Sequence, residues 1–273
     1  MIDLPKYVEI ETSRFCNRLC AWCPNSVLLN RRYQELMRWD YLKMALMSLS
    51  RHDYSGWLAF HNYNEPLANP RLVSEIELAV ELLPKSSPAI YTNGDLLTET
   101  LFAQLLTAGV RQIRITIYPK RNDPTHRGHR RLWSWIRRRS FLADLPWEEG
   151  TAKQGAVLRH VGDLEIIVIN PEIDGYYDRG GTIAWLSSSR QNAPCFLTSH
   201  SLSVDFAGNV KMCCNVVSGN EAHTQYVIGN IAATDLVALW NSPQFADIRS
   251  RHRVSDWSKS PICGTCTQHI DFS

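Results

Sequence analysis

From Tyr7 to Tyr118 the chain alternates strand-like and helix-like hydrophobic patterns, and this rhythm leaves few folds open. Residues 7–12 alternate apolar and charged side chains as a strand does. Asp40 then stands as a candidate N-cap for a helix with Leu42, Ala45, Leu46 and Leu49 on one face. Residues 57–60 form a short apolar run, and 72–83 return to helical spacing through Leu72, Ile76, Ala79 and Leu83. A third strand at 88–91 precedes helical Leu101, Leu105 and Leu106, which Ala108-Gly109 stops. Residues 112–118 alternate Ile113, Ile115 and Ile117 as a fourth strand, and Leu164–Ile169 reads as a fifth. Strands joined through helices lie parallel, with working residues in loops at their C-terminal ends.

The expected fold is α/β: a partial (β/α) TIM-like barrel of about five to six parallel strands with a small C-terminal domain. The barrel is partial because the stretch from 170 to Cys195 is too short for another full strand and helix repeat. A boundary near 180 divides a barrel domain, 1–180, from the C-terminal domain, 181–273.

Three cysteines, Cys16, Cys20 and Cys23, follow the first strand at C-x3-C-x2-C spacing. Cys195, Cys213, Cys263 and Cys266 gather near the other end, and Cys214 is left over. A net charge of +2, with 44% hydrophobic and 21% charged residues, points to a globular protein rather than to nucleic acid or a membrane surface as partner. No apolar run reaches the roughly 18 residues a membrane span needs, and no signal-peptide pattern opens the chain, so a cytoplasmic location is expected. In a reducing compartment such cysteines read as metal ligands rather than disulfides.

Three thiolates leave one metal position open, whereas four close a site. A zinc site that borrows a fourth ligand is the alternative to a cluster. The run Cys16-x3-Cys20-x-Trp22-Cys23 resembles the motif of the radical S-adenosylmethionine (SAM) superfamily. That resemblance implies a four-iron four-sulfur cluster whose open iron chelates SAM, with Trp22 against the adenine, and release of a 5′-deoxyadenosyl radical. In the same family a Gly-Glu-Pro segment after the second strand binds the SAM amino group. Here Asn64-Glu65-Pro66 holds that place, with Asn for the usual Gly. Thr92-Asn93-Gly94 after the third strand resembles the family's Thr-Asn-Gly segment, and Thr116 on the fourth strand faces inward if Ile115 and Ile117 face the helices.

The C-terminal region, Cys195, then Gly208-x4-Cys213, then Cys263-Gly-Thr-Cys266, with Ile228-Gly-Asn-Ile and Leu239-Trp-Asn-Ser-Pro-Gln-Phe between, resembles the SPASM and Twitch domains of radical SAM enzymes. This implies a second four-iron four-sulfur cluster on four thiolates. Such a cluster passes electrons rather than binding substrate. Taken alone, the same four cysteines fit a structural zinc site.

The resemblance extends to enzymes of sugar and aminoglycoside antibiotic pathways, and implies a small polar substrate, of sugar, aminocyclitol or nucleotide type, and an external one-electron reductant of flavodoxin or ferredoxin type. Arg179 stands sixteen residues before Cys195, where dehydrogenases of that group place an active-site arginine. Cys214 is the residue on which the expected reaction turns: as a hydrogen-atom donor from the face opposite the radical, it makes the chain an epimerase. Dehydrogenation with the second cluster as electron acceptor is the alternative. Sulfur insertion from that cluster, or a non-enzymatic metal-binding or electron-transfer module, are further ones. His61, Asn62, Tyr63, Tyr118, Asn170, Tyr176 and Tyr177 are candidates for the barrel mouth. Residues 123–141 carry His126, Arg127, His129, Arg130, Arg131, Arg137, Arg138 and Arg139 among Trp133 and Trp135. They read as an amphipathic helix with a solvated basic face, or as one that faces an anionic substrate.

Overall fold

The computed structural model describes residues 3–28, 35–118, 128–149, 157–170, 176–186 and 193–266. One ten-stranded sheet organises them. Its strands are β1 (Tyr7–Ile10), β2 (Trp57–Ala59), β3 (Ser87–Thr92), β4 (Gln112–Thr116), β5 (Glu148–Glu149), β6 (Val157–Val161), β7 (Leu164–Ile169), β8 (Ser201–Val204), β9 (Asn209–Lys211) and β10 (Val227–Asn230). Six of them run parallel in the order β8-β1-β2-β3-β4-β7. Antiparallel β6 and β5 extend one edge, and β9 and β10 the other.

The five strands read from sequence are β1, β2, β3, β4 and β7; the sixth parallel strand is β8, whose Glu9↔Ser203 register with β1 spans most of the chain. A division near 180 separates the two cysteine regions in sequence, while the sheet runs across it.

The helical layer follows the sequence periodicity. Helix α1 (Trp39–Ser50) buries Leu42, Ala45, Leu46 and Leu49, each fully buried leucine contributing about 1.5–3 kcal/mol. Its N-cap is Arg38 rather than Asp40, which lies in the first turn; the helix starts two residues earlier, with Trp39 as its first residue. Helices α2 (Leu72–Leu82) and α3 (Glu99–Thr107) continue the layer, and α3 ends at Ala108 before Gly109 at φ 92°. Helix α4 (Gly128–Arg137) buries Leu132, Trp135 and Ile136, and short α5 (Ser140–Ala143) follows. Arg137 and Arg138 are exposed, so this part of the basic run is a solvated face. Arg139 instead lies 3.7 Å over the Trp135 ring and donates to the Gly94 carbonyl at 3.1 Å. His126 and Arg127, and the side chains of His129 and Arg130, lie outside the described residues. In the C-terminal region, α6 (Leu197–His200), α7 (Leu236–Trp240) and α8 (Pro243–Arg253) flank β8–β10. Among the described residues no helix is long and apolar enough to cross a membrane.

Alternation sorts the strand residues. Val8, Ile10, Ile113 and Ile115 join the hydrophobic core against the helices. Tyr7, Glu9 and Glu11 on β1 and its extension, Arg114 and Thr116 on β4, and Ser201 and Ser203 on β8 therefore take the inner face, which is polar.

Candidate active site

The loop after β1 carries Cys16, Cys20 and Cys23. The Cys23 amide donates to the Cys20 carbonyl at 3.1 Å, and a 3-10 turn at Pro24–Ser26 follows. The Arg18 amide donates to Cys16 Sγ at 3.4 Å, while its guanidinium grips both oxygens of Asp95 at 2.6 and 2.5 Å. Asn93 Nδ2 donates to Asn17 Oδ1 at 2.8 Å, and Asn17 Nδ2 to Asp95 Oδ2 at 3.1 Å. The cysteine loop is thereby tied to the Thr92-Asn93-Gly94-Asp95 loop at the end of β3.

Glu65 joins the same frame. Its carboxylate accepts from Thr92 Oγ1 at 2.5 Å, from the Asn93 amide at 2.8 Å and from the Leu67 amide at 3.0 Å, while its own amide donates to the Phe15 carbonyl. Burial raises its pKa, and these three bonds oppose that rise. Asn64 is buried beside it, with Nδ2 donating to Ser13 Oγ at 3.3 Å. Trp22 lies face to face with Tyr176, ring centres 4.5 Å apart, and tilted against Tyr118 at 5.9 Å. Tyr118 is hydrogen-bonded to Thr116, and burial pushes its phenol up to about 12.

On the inner face, Glu9 accepts from Asn62 Nδ2 and, at 3.1 Å, from Ser203 Oγ. Its second oxygen lies 3.4 Å from His61 Nε2. His61 stacks on Tyr91 at 4.2 Å, and burial lowers its pKa, so the ring is neutral near pH 7. Glu11 accepts from the Tyr63 amide at 3.1 Å; burial raises its pKa to about 8 despite the nearby Lys211. His61 Nδ1, Asn62 Oδ1, Tyr63 Oη and Tyr176 Oη are buried and have no hydrogen-bond partner among the described residues.

The C-terminal region borders this space through the Cys214 carbonyl on Asn62 and Lys211 over the Tyr63 ring. Cys213 and Cys263 are buried, and Cys195 and Cys266 are close enough to act on Cys213 electrostatically, so four thiols gather there. His252 lines this set: its carbonyl accepts the Cys195 amide at 3.0 Å and its Nε2 lies 3.9 Å from Cys263 Sγ. Cys214 is within electrostatic reach of Glu9, Arg179 and Lys211 as well as of Cys213 and Cys266, and its carbonyl accepts Asn62 Nδ2 at 3.2 Å.

Arg179 sits on a turn with φ of 53°, followed by Gly180 and Gly181 at 64° and 81°. Buried Asp178 accepts the Gly180 amide at 3.2 Å and braces the turn. The guanidinium lies between the rings of Tyr63 and Tyr177, at 5.9 and 5.7 Å, and donates to Asn215 Oδ1 at 3.0 Å. Burial opposes its charge, but a guanidinium is too basic to give up its proton, and it stays cationic.

The donor sets suit clusters better than single ions. Among the described residues no three Cys, His, Asp or Glu side chains form a group that would hold one metal ion. Tetrahedral zinc, with Zn–S of about 2.3 Å, draws its sulfurs to about 4 Å of one another. All-thiol sets of three and of four fit iron-sulfur cubanes, whose irons occupy separate corners. Beside the first set, the rings of Trp22, Tyr118 and Tyr176 and the unmet Tyr176 hydroxyl fit the nucleoside of SAM.

The structure thus brings Trp22, Asn64, Glu65, Thr92, Asn93 and Thr116 around one cysteine set, and Arg179 and Cys214 between the two sets. Glu9, Glu11, Lys211, Asn215 and Asp95 escaped sequence reasoning. Only Glu9 and Glu11 left a trace there, as charged residues on the inward phase of a strand.

Comparison with known proteins identifies the two cysteine-bearing regions. Residues 10–138 match the family model described as the radical SAM superfamily, and 195–267 match SPASM, an iron-sulfur cluster-binding domain. An S-adenosyl-L-methionine-dependent 2-deoxy-scyllo-inosamine dehydrogenase from Niallia circulans is 27% identical over 97% of this chain and 94% of its own. The crystal structure of BtrN in complex with AdoMet and 2-DOIA is similar with a TM-score of 0.72 and 25% identity, covering 98% of this chain and 95% of that one. An open conformation of BtrN, 24% identical over 98% and 94% of the two chains, has a TM-score of 0.65.

Proposed function

Since the chain belongs to the radical SAM superfamily, carries a SPASM domain and works with SAM and two four-iron four-sulfur clusters, we propose that it oxidises a secondary alcohol of an aminocyclitol-like substrate to a ketone. The observation that carries this reading is the polar space between the two cysteine sets. Arg179 stands charged on one side of it, and His61 Nδ1, Asn62 Oδ1 and Tyr63 Oη are buried there without partners among the described residues. Unmet hydrogen bonds of this kind cost about 1–3 kcal/mol each unless a polar molecule meets them. A ring bearing several hydroxyls and an amine does so.

Oxidation replaces epimerisation as the leading reading, because the relative that aligns along nearly the whole chain is a dehydrogenase. When bound, SAM and the N-terminal cluster supply the radical that removes the carbinol hydrogen atom, and the C-terminal cluster takes up the second electron. Arg179 stays cationic, so it holds the substrate oxygen as negative charge develops rather than taking its proton. His61 takes that proton at Nδ1. Its Nε2 faces Glu9, whose carboxylate steadies the resulting imidazolium as the acid of a Ser-His-Asp triad does. The alcohol loses one hydrogen atom, one proton and one electron, which leaves a ketone. An external one-electron reductant of flavodoxin or ferredoxin type serves the N-terminal cluster.

The test is anaerobic incubation of the reconstituted protein with dithionite, SAM and 2-deoxy-scyllo-inosamine. One 5′-deoxyadenosine is expected per molecule of a product two hydrogens lighter. A product of unchanged mass with one inverted centre restores the epimerase reading, and 5′-deoxyadenosine without any change in the inosamine removes aminocyclitols.

A further inference from the structure

Asn215 has one side-chain amide and two demanding neighbours. Its Oδ1 accepts from Arg179 Nη1 at 3.0 Å, and its Nδ2 donates to Cys266 Sγ at 3.6 Å. The neighbours dictate that orientation. A guanidinium only donates, so it must meet the amide carbonyl, which turns the NH2 toward the sulfur. Asn215 is only 2% exposed, which limits competition from water for either bond.

The arginine is held for this contact at a conformational cost. A positive φ is uncommon outside glycine and persists only where surroundings impose it. Here His223 imposes it from the far side of the turn: Nε2 donates to the Gly180 carbonyl at 2.9 Å, while Nδ1 accepts the Val217 amide at 3.0 Å. A Cβ on Gly180 would meet that imidazole at 3.2 Å.

We infer that Asn215 is a positioning residue that couples substrate at Arg179 to the reduction potential of the C-terminal cluster. The second half of this coupling rests on Arg179 facing the substrate. An N–H bond to a ligand sulfur stabilises the added negative charge of the reduced cluster and raises its potential. The guanidinium at Oδ1 polarises the same amide and strengthens its N–H as a donor. A substrate hydroxyl oxygen that accepts from the guanidinium draws on it and weakens that polarisation. The cluster that accepts the substrate's electron therefore senses whether substrate is in place.

An EPR-monitored redox titration of the holoprotein without substrate tests the first half independently of any reading of Arg179. Asn215→Leu, similar in volume but without a donor, is expected to shift the C-terminal cluster to a more negative potential, and Asn215→Gln to recover part of the shift. An unchanged potential in Asn215→Leu at full iron content overturns the inference. If that variant loses iron, Asn215→Asp decides: it accepts from Arg179 but offers Cys266 no donor, and an unchanged potential overturns the inference equally. Adding 2-deoxy-scyllo-inosamine should then move the wild-type potential and leave Asn215→Leu unmoved. A wild-type potential indifferent to an inosamine that the enzyme does convert overturns the coupling, and this outcome is distinct from failure of the substrate reading.

Discussion

Arg18 and Asp95, seventy-seven residues apart, meet through two hydrogen bonds of 2.6 and 2.5 Å that bind the cysteine loop to the loop ending β3. Both side chains are partly exposed, at 25% and 33%, so the pair contributes roughly 1 kcal/mol to stability. Its larger effect is geometric, because Arg18 lies between two cysteines and its amide already bonds Cys16 Sγ. Asp95→Ala should loosen the N-terminal cluster alone. Of about eight irons in the wild type, the variant is expected to release about half to a chelator much faster, with the C-terminal half unaffected. Uniform release of all iron would show that the pair does not act on that loop.

Gly94 turns the chain between Asn93 and Asp95 at φ 70°, with Trp135 Cζ2 and Ile115 Cγ2 at 2.6 and 2.7 Å from where a Cβ would stand. Neither a ring nor a β-branched core side chain gives way readily. Gly94→Ala should cost about 1–3 kcal/mol and lower the thermal midpoint. Weakened SAM binding should accompany it, since Glu65 is bonded to the neighbouring Asn93 amide. A midpoint equal to wild type would show that the α4 contact relaxes freely.

Glu11 is a carboxylic acid held protonated by burial, with a pKa of about 8. Between its ordinary value and 8 the folded protein binds a proton that the unfolded chain has released, so stability falls as pH rises through that window. An infrared band of a protonated carboxyl group is expected at neutral pH, absent well above pH 8, and missing in Glu11→Gln. Glu11→Gln should also lose less stability than wild type between neutral pH and pH 8. A band that survives in Glu11→Gln would place the buried acid elsewhere.

Cys214 lies near the substrate space, but the dehydrogenase reading gives its thiol no step. Cys214→Ala should keep both clusters, cleave SAM and form the oxidised product at close to the wild-type rate. Mass spectrometry in deuterium oxide should find no solvent deuterium at the reacting carbon. Loss of turnover together with one solvent deuterium in the wild-type product would return the hydrogen-donor role to this thiol.

Local pattern was enough for the first half of the fold. Strands β1 to β4, the buried faces of α1 and α2, and the cysteine spacing each rest on residues within one or two turns of one another, so period and spacing reveal them. The same reasoning placed Glu65, Thr92 and Asn93 at strand ends, where parallel folds gather their sites. It stopped where contact ceases to be local. Ser201–Val204 is as long as β1 but stands outside the strand–helix rhythm, and becomes the sixth parallel strand only because β1 has a free edge for it. The Glu9–His61 pair, the Arg18–Asp95 clasp and the two-sided amide of Asn215 join residues that no period relates. The sequence by itself determined the strand–helix elements of the first half and the spacing of the thiols. Which polar side chains face each other between the two thiol sets was decided only by the closing of the sheet, because strand pairing brings distant inner-face residues to one level.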